Sequence, residues 1–148
     1  MAVILVGVDG SAHSHRALEW AMKEAAAYHA PLTVLTVSPV AISAWTGTPI
    51  RTSADDPARE HARQAAQEAA GKAAGQLTGD TRPASVTVQA INGNAAEELV
   101  NASRDADLVV VGSRGAGGFA RLVMGSVSSQ VAHHAHCPVV IVPADERG

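Results

Sequence analysis

Hydrophobic positions fall into five short aliphatic runs separated by stretches of helical period. Val3 to Val8 is continuous apolar sequence, as expected of a strand covered on both faces, and it ends in the turn-forming GVDGS. From Ser11 to about His29 the apolar positions Leu18, Ala21, Met22 and Ala25 recur at helical spacing, and Pro31 closes the segment. Leu32 to Val37 predicts a second strand, followed by Ser38 to Asp56, a mixture of Pro, Gly, Thr and Ser without period that reads as a surface loop. Asp56 with Pro57 marks a helix start, and Ala62, Ala66, Ala69, Ala73 and Leu77 line one face of the helix that follows. Val86 to Ile91 reads as a third strand. Asn94 with Glu97 forms a capped start for a short helix carrying Ala96, Leu99, Val100 and Ser103. Leu108 to Val111 is the fourth strand, Gly125 to His134 a helix with Val127 and Val131 on one side, and Val139 to Val142 the fifth strand.

Strands that alternate with helices and are too apolar to face water imply an α/β fold, a parallel sheet with helices on both faces. Such sheets bind ligands beyond the carboxyl ends of their strands, where the strand order reverses. The connections after the first and fourth strands are therefore the places to search.

Composition narrows the function classes. With 148 residues the chain is expected to form one domain spanning 1–148, and 47% apolar against 17% charged residues is ordinary for a folded protein. A net charge of −3 argues against a nucleic-acid or anionic-membrane partner, which clustered Lys and Arg would serve. The apolar N-terminus lacks a basic leader and is short, no stretch reaches the roughly 20 apolar residues of a membrane span, and the lone Cys137 has no disulfide partner in the chain. A cytoplasmic protein is the expectation.

The chemistry is concentrated in GSRGAGGFARLVMGS, between the fourth strand and the last helix, where Gly112, Gly115, Gly117, Gly118 and Gly125 occupy a connection too long for a plain turn. Glycines admit an anion close to backbone amides, and the helix that follows aims its free amides at the same spot, with Ser126 adding a hydroxyl. This suits a polyphosphate. No GKS or GKT follows the glycines, so the loop is not a Walker A motif, and the first strand lacks the GxGxxG dinucleotide spacing.

The spacing does fit GxxGx9G(S/T), here Gly112, Gly115, Gly125 and Ser126; with the VGVDGS opening and the HCPVVIVP ending, the whole chain resembles the ATP-binding branch of the universal stress protein family. The resemblance implies an open, doubly wound five-stranded sheet in the order 3-2-1-4-5 and ATP, with Mg2+, as the ligand. Carried onto this chain, Gly7, Val8 and Asp9 border the adenosine and Val37 offers backbone polar groups to the base. Gly112, Ser113, Arg114, Gly115, Ala116, Gly117 and Gly118 wrap ribose and phosphates, and Gly125, Ser126, Val127 and Ser128 supply the helix start.

Other readings stand beside these. Asp9 has an alternative reading as a turn or cap residue, and Arg114 and Arg121 as solvated charges. His133, His134 and His136 cluster at a helix end, where they complement its dipole more simply than they bind metal, and His13 and His15 read as surface residues. Cys137 reads as a small buried thiol, and Trp20, Tyr28, Trp45 and Phe119 as packing residues, with Trp45 a candidate neighbour of the nucleotide. A phosphate loop without a clear general base, nucleophile or metal cluster points to a binding module, which the resemblance implies acts in stress response, read by a regulatory protein partner through nucleotide-dependent ordering of the loop. The alternative is a slow ATPase or a phosphoryl or adenylyl transferase, since phosphoryl transfer needs mainly positioning and charge. The apolar fifth strand, at the margin of the implied sheet, predicts a homodimer.

Overall fold

The computed structural model describes residues 2–39, 45–47, 57–113 and 125–143. Its elements run β1 (Ile4–Val8), α1 (Ala12–Tyr28), β2 (Pro31–Ser38), α2 (Pro57–Gly75), β3 (Ser85–Asn92), α3 (Ala95–Ala102), β4 (Leu108–Gly112), α4 (Ser126–His134) and β5 (Val139–Val142). The sheet has the order β3-β2-β1-β4-β5, and every strand pair is parallel. Both the α/β class and the strand order agree with expectation.

Two apolar layers sandwich the sheet. On one face, Val6, Leu32, Val34 and Val110 meet Ala17, Leu18, Ala21 and Met22 of α1 and Ala66, Ala70 and Ala73 of α2. On the other, Leu5, Leu35, Val109 and Val111 meet Leu99 of α3 and Val131 of α4. Odd and even strand residues thus go to opposite layers, as the pleat requires. Helix α1 is started by Ser11, whose hydroxyl accepts from Ser14 N at 3.2 Å, and ended by His29 in the left-handed conformation at φ 49°. Asn94 caps α3 by accepting from Glu97 N at 3.0 Å, as the sequence predicts. The start of β1 is tied to the approach to β4 by a reciprocal pair, Val3 N to Asp107 Oδ2 at 2.7 Å and Asp107 N to Val3 O at 2.8 Å.

Several expectations need correction. Strand β3 is not covered on both faces: its burial is mostly exposed to intermediate, and Val86 is 41% exposed, because β3 is a sheet edge that pairs with β2 alone. The fully buried positions of α2 are Ala66, Ala70 and Ala73; Ala69 packs against the same cluster only partly buried, Ala70 joins the expected face, and Leu77 packs from beyond the helix end. Ser103 leaves the helical face for a 3-10 turn, where its hydroxyl donates to Val100 O and accepts from His136 N at 2.9 Å. Trp20 does pack against the core, but Tyr28 and Trp45 are exposed at 72% and 96%, so neither is a packing residue. Cys137 is half-buried rather than enclosed; desolvation, and secondarily the Asp107 carboxylate, push its thiol up from the ordinary value. Asp56, Phe119 and Arg121 lie outside the described residues. Among the described residues no helix is long and apolar enough to cross a membrane.

Candidate nucleotide site

Strand β1 sits at the centre of the sheet, with β2 on one side and β4 on the other, so the chain reverses its direction of sheet growth between β1 and β4. The loops leaving their carboxyl ends must diverge there, and the gap between them is the natural ligand crevice. A cleft with about 520 Å³ of empty space opens at that point, on the α3 and α4 face of the sheet.

Its walls come from both kinds of element. Leu35 and Val37 of β2, Val111 of β4, Leu99 of α3 and Val127 of α4 supply an apolar lining. Gly7 and Gly112 form part of the base, and for both the reason for glycine is space rather than dihedral angle, since neither has a positive φ. A Cβ on Gly112 would stand 2.8 Å from the backbone oxygen of His13, and one on Gly7 would stand 3.0 Å from Leu99 Cδ1. Glycine at 112 lets the first turn of α1 lie directly over β4; glycine at 7 lets Leu99 reach the sheet and still leave room beside it.

The polar groups at the base are tied into the turns that build it. Asp9 Oδ1 accepts from Ser11 N at 2.9 Å, while Asp9 N donates to Ser14 Oγ at 3.1 Å and Ser14 Oγ donates to Ser11 O at 3.0 Å. Asp9 is therefore a turn residue, as its alternative reading holds, and it also lines the cleft from an exposed position. Ser128, 2% exposed, donates to Ser113 O at 2.9 Å and Gly125 O at 3.0 Å. Gly125 N donates to Ser113 O at 2.7 Å, and Ser113 N to Val142 O at 2.9 Å. The two ends of the 113–125 connection are thus clamped together at the mouth of the cleft. The hydroxyl of Ser128 and the amide of Gly125 serve that clamp, which makes them parts of the frame.

The remaining amides of the first turn of α4, on Ser126, Val127 and Ser128, have no carbonyl one turn earlier within the helix, and they carry its positive end. Seven of the sequence-predicted residues line the cleft: Gly7, Val8, Asp9, Val37, Gly112, Val127 and Ser128. Ser113, Gly125 and Ser126 stand beside it at the loop ends, whereas Arg114, Gly115, Ala116, Gly117 and Gly118 lie outside the described residues. Sequence reasoning missed Ser14, Leu35, Ala95, Leu99 and Val111. Leu35 and Val111 were within reach of it, because strand alternation puts Leu35 on the face of Val37. The histidines of α4 and the segment after it do not join the cleft: His133 Nδ1 bonds Ser129 O at 2.8 Å, one turn back on its own helix. Among the described residues no group of three or more His, Cys, Asp or Glu is placed to hold a metal ion.

Comparison with known proteins agrees with this architecture. The universal stress protein family model matches residues 1–143. A universal stress protein of Mycolicibacterium smegmatis is 36% identical over 145 residues, covering 97% of this chain and 49% of that protein. One from Mycobacterium tuberculosis H37Rv is 38% identical over 154 residues, with the same coverages of 97% and 49%. The chain therefore spans about half the length of the curated relatives it matches. Among solved structures, universal stress protein UspA from Lactobacillus plantarum superposes with a TM-score of 0.74 at 25% identity, over 95% of this chain and 97% of that one. A universal stress protein solved in complex with cAMP gives 0.67 at 26% identity, over 96% of both chains. With the family model spanning nearly every residue and the sheet order matching, the chain belongs to the universal stress protein family.

Proposed function

We propose that the chain is an adenine-nucleotide-binding module that takes ATP with Mg2+ in the cleft between β1 and β4, and that occupancy alters a surface read by a regulatory partner. The observation that carries this reading is the pairing of an apolar wall, from Leu35, Val37, Leu99 and Val111, with the positive end of α4 at the far side of the same cleft. A flat aromatic base is favoured by the first and a phosphate chain by the second. The fit to the adenosine half is good: glycine at 7 leaves room beside Leu99, where a Cβ would stand 3.0 Å from Leu99 Cδ1. Family membership supports the reading, since the relative solved with cAMP shares 26% identity across its length. The GxxGx9G(S/T) spacing extends it to the triphosphate, with the residues from Gly112 to Gly118 around ribose and phosphates and Ser126 at the helix start. Magnesium would neutralise phosphate charge there.

Binding is favoured over catalysis by the base of the cleft. The hydroxyls of Ser14 and Ser128 are both held by backbone carbonyls, which withdraws them from a role as nucleophiles. Calorimetry with ATP, ADP and AMP in the presence of magnesium tests the proposal. ATP is expected to bind about tenfold more tightly than AMP, because the donors converge on phosphate. Equal affinities would place the dominant contacts on adenosine, and the absence of binding by all three would overturn the reading.

We further read the chain as one such unit that pairs with a second copy through β5. This strand is a sheet edge, and Val139, Val140 and Ile141 are half-buried rather than covered. An apolar edge without charge invites strand pairing. Sedimentation of Val140→Lys is expected to shift toward monomer, and a wild-type chain that sediments as monomer at all concentrations would reject the dimer.

A further inference from the structure

On the opposite face of the sheet from the nucleotide cleft, a second open cavity of about 600 Å³ lies between the carboxyl ends of β1 and β2 and the alanine-rich start of α2. Val8, Ala62, Ala66 and Ala69 give it an apolar interior, and Thr36 stands among them. Thr36 is the anomaly. It is 6% exposed, and its side chain belongs to the α1 and α2 face, since Val34 and Leu32, two and four residues earlier, pack in that layer. Among the described residues its hydroxyl has no hydrogen-bond partner, while the other buried polar residues Ser14, Ser103 and Ser128 are all satisfied. A buried hydroxyl with no partner is costly, and one that lines a cavity is an anchor for whatever enters.

We propose that this cavity is a second small-molecule site, selective for a compact neutral alcohol or phenol: an apolar body seated on the alanines and Val8, with its hydroxyl paired to Thr36. A threonine hydroxyl both donates and accepts, so it matches another hydroxyl without needing charge. The rim supports a neutral ligand as well. It carries the imidazoles of His15 and His61 together with the Asp9 carboxylate, a mixture that favours neither an anion nor a cation. Depth favours a small molecule, because the cavity is floored by strand residues rather than lying as a shallow trough across helices. From it a groove continues along the seam of α1 and α2 past Leu18, Glu19 and Lys72, leaving space for a substituent.

Methyl-resolved NMR of the full chain, saturated with ATP and titrated with benzyl alcohol or with toluene, tests the site. Benzyl alcohol is expected to shift the methyls of Ala62, Ala66 and Ala69 along one saturable curve, with affinity about fivefold above toluene, the margin one net hydrogen bond supplies. Thr36→Val, nearly the same shape, should abolish that margin and leave toluene binding unchanged. Ala65→Leu, at an exposed position that lines the cavity, should weaken both probes without changing the circular dichroism spectrum. Shifts that do not saturate, or that scatter away from α2, would overturn the proposal. So would a Thr36→Val protein that keeps the full preference for the alcohol.

Discussion

Replacing Gly112 by valine is expected to lower the melting temperature by roughly 5 to 10 °C by forcing α1 away from β4. The cause is backbone against side chain. A Cβ at this position would stand 2.8 Å from His13 O, 2.9 Å from His13 C and 3.2 Å from His13 Cβ, and no side-chain rotation relieves a contact with a main-chain carbonyl. Helix α1 cannot easily retreat, because Ala17, Leu18 and Ala21 are 0%, 1% and 0% exposed against the sheet. Moving it would open a gap along the whole layer. Overpacking of this kind costs about 1 to 3 kcal/mol, and valine's two further methyl groups put it at the upper end. Gly7→Ala is the internal control: its Cβ would meet the end of the Leu99 side chain, Cδ1 at 3.0 Å and Cδ2 at 3.1 Å, and a leucine end can shift by a few tenths of an ångström. Its cost should be about 1 kcal/mol or less, felt more in ligand affinity than in stability. Thermal melts of the three proteins decide the matter. If Gly112→Val melts with the wild type, the close approach of α1 to β4 does not hold in solution.

How much of this was legible in the sequence depended on whether the signal was local. β1, β2 and β4 sit centrally, and their aliphatic runs announce burial on both faces without reference to the rest of the chain. β3 carries much the same residue types, yet Val86 is 41% exposed. Edge or centre is a property of strand order, which no window of eight residues contains; that order came from the family resemblance. Helix α2 shows a second limit. Alanine occupies so many of its positions that the helical phase is poorly defined: Ala70 is fully buried where no face position was predicted, while the predicted Ala69 packs on the core only partly buried.

The site was legible where it departs from ordinary packing and hidden where it does not. Gly7, Asp9, Gly112 and Ser128 stand out as small or polar residues at the ends of apolar elements, and the fold does bring them around one cleft. Leu35, Leu99 and Val111 look like core and largely are core, at 3%, 4% and 4% exposed; only their edges face the cleft. Thr36 was invisible for a related reason, since threonine in a strand is unremarkable until its hydroxyl is found without a partner.

The Gly125→Glu substitution is expected to lower ATP affinity by about a hundredfold or more while leaving the fold intact. Gly125 caps α4 at φ −65° and ψ 159°, an extended conformation that any residue adopts, so a side chain brings no backbone strain. A carboxylate beside a helix N-terminus is itself favourable, by about 0.3 to 1 kcal/mol, and the helix should be retained. The same carboxylate occupies the positive end of α4 that the proposed function assigns to the phosphates. A unit negative charge about 5 Å from a phosphate, at the effective dielectric constant of about 20 found near protein surfaces, costs about 3 kcal/mol, which is a hundredfold in affinity. Gly125→Ala adds a methyl group without charge and should keep most of the affinity, while Gly125→Gln separates bulk from charge. Adenosine binding should be nearly the same in the wild-type and Gly125→Glu proteins, because adenosine presents no phosphate to the introduced charge. Calorimetry with ATP and adenosine on all four proteins, alongside far-UV circular dichroism, gives the comparison. If Gly125→Glu binds ATP as the wild type does, the phosphates lie away from α4 and the role given to the helix N-terminus is wrong. If ATP and adenosine weaken together, the substitution acts through the shape of the cleft rather than through charge.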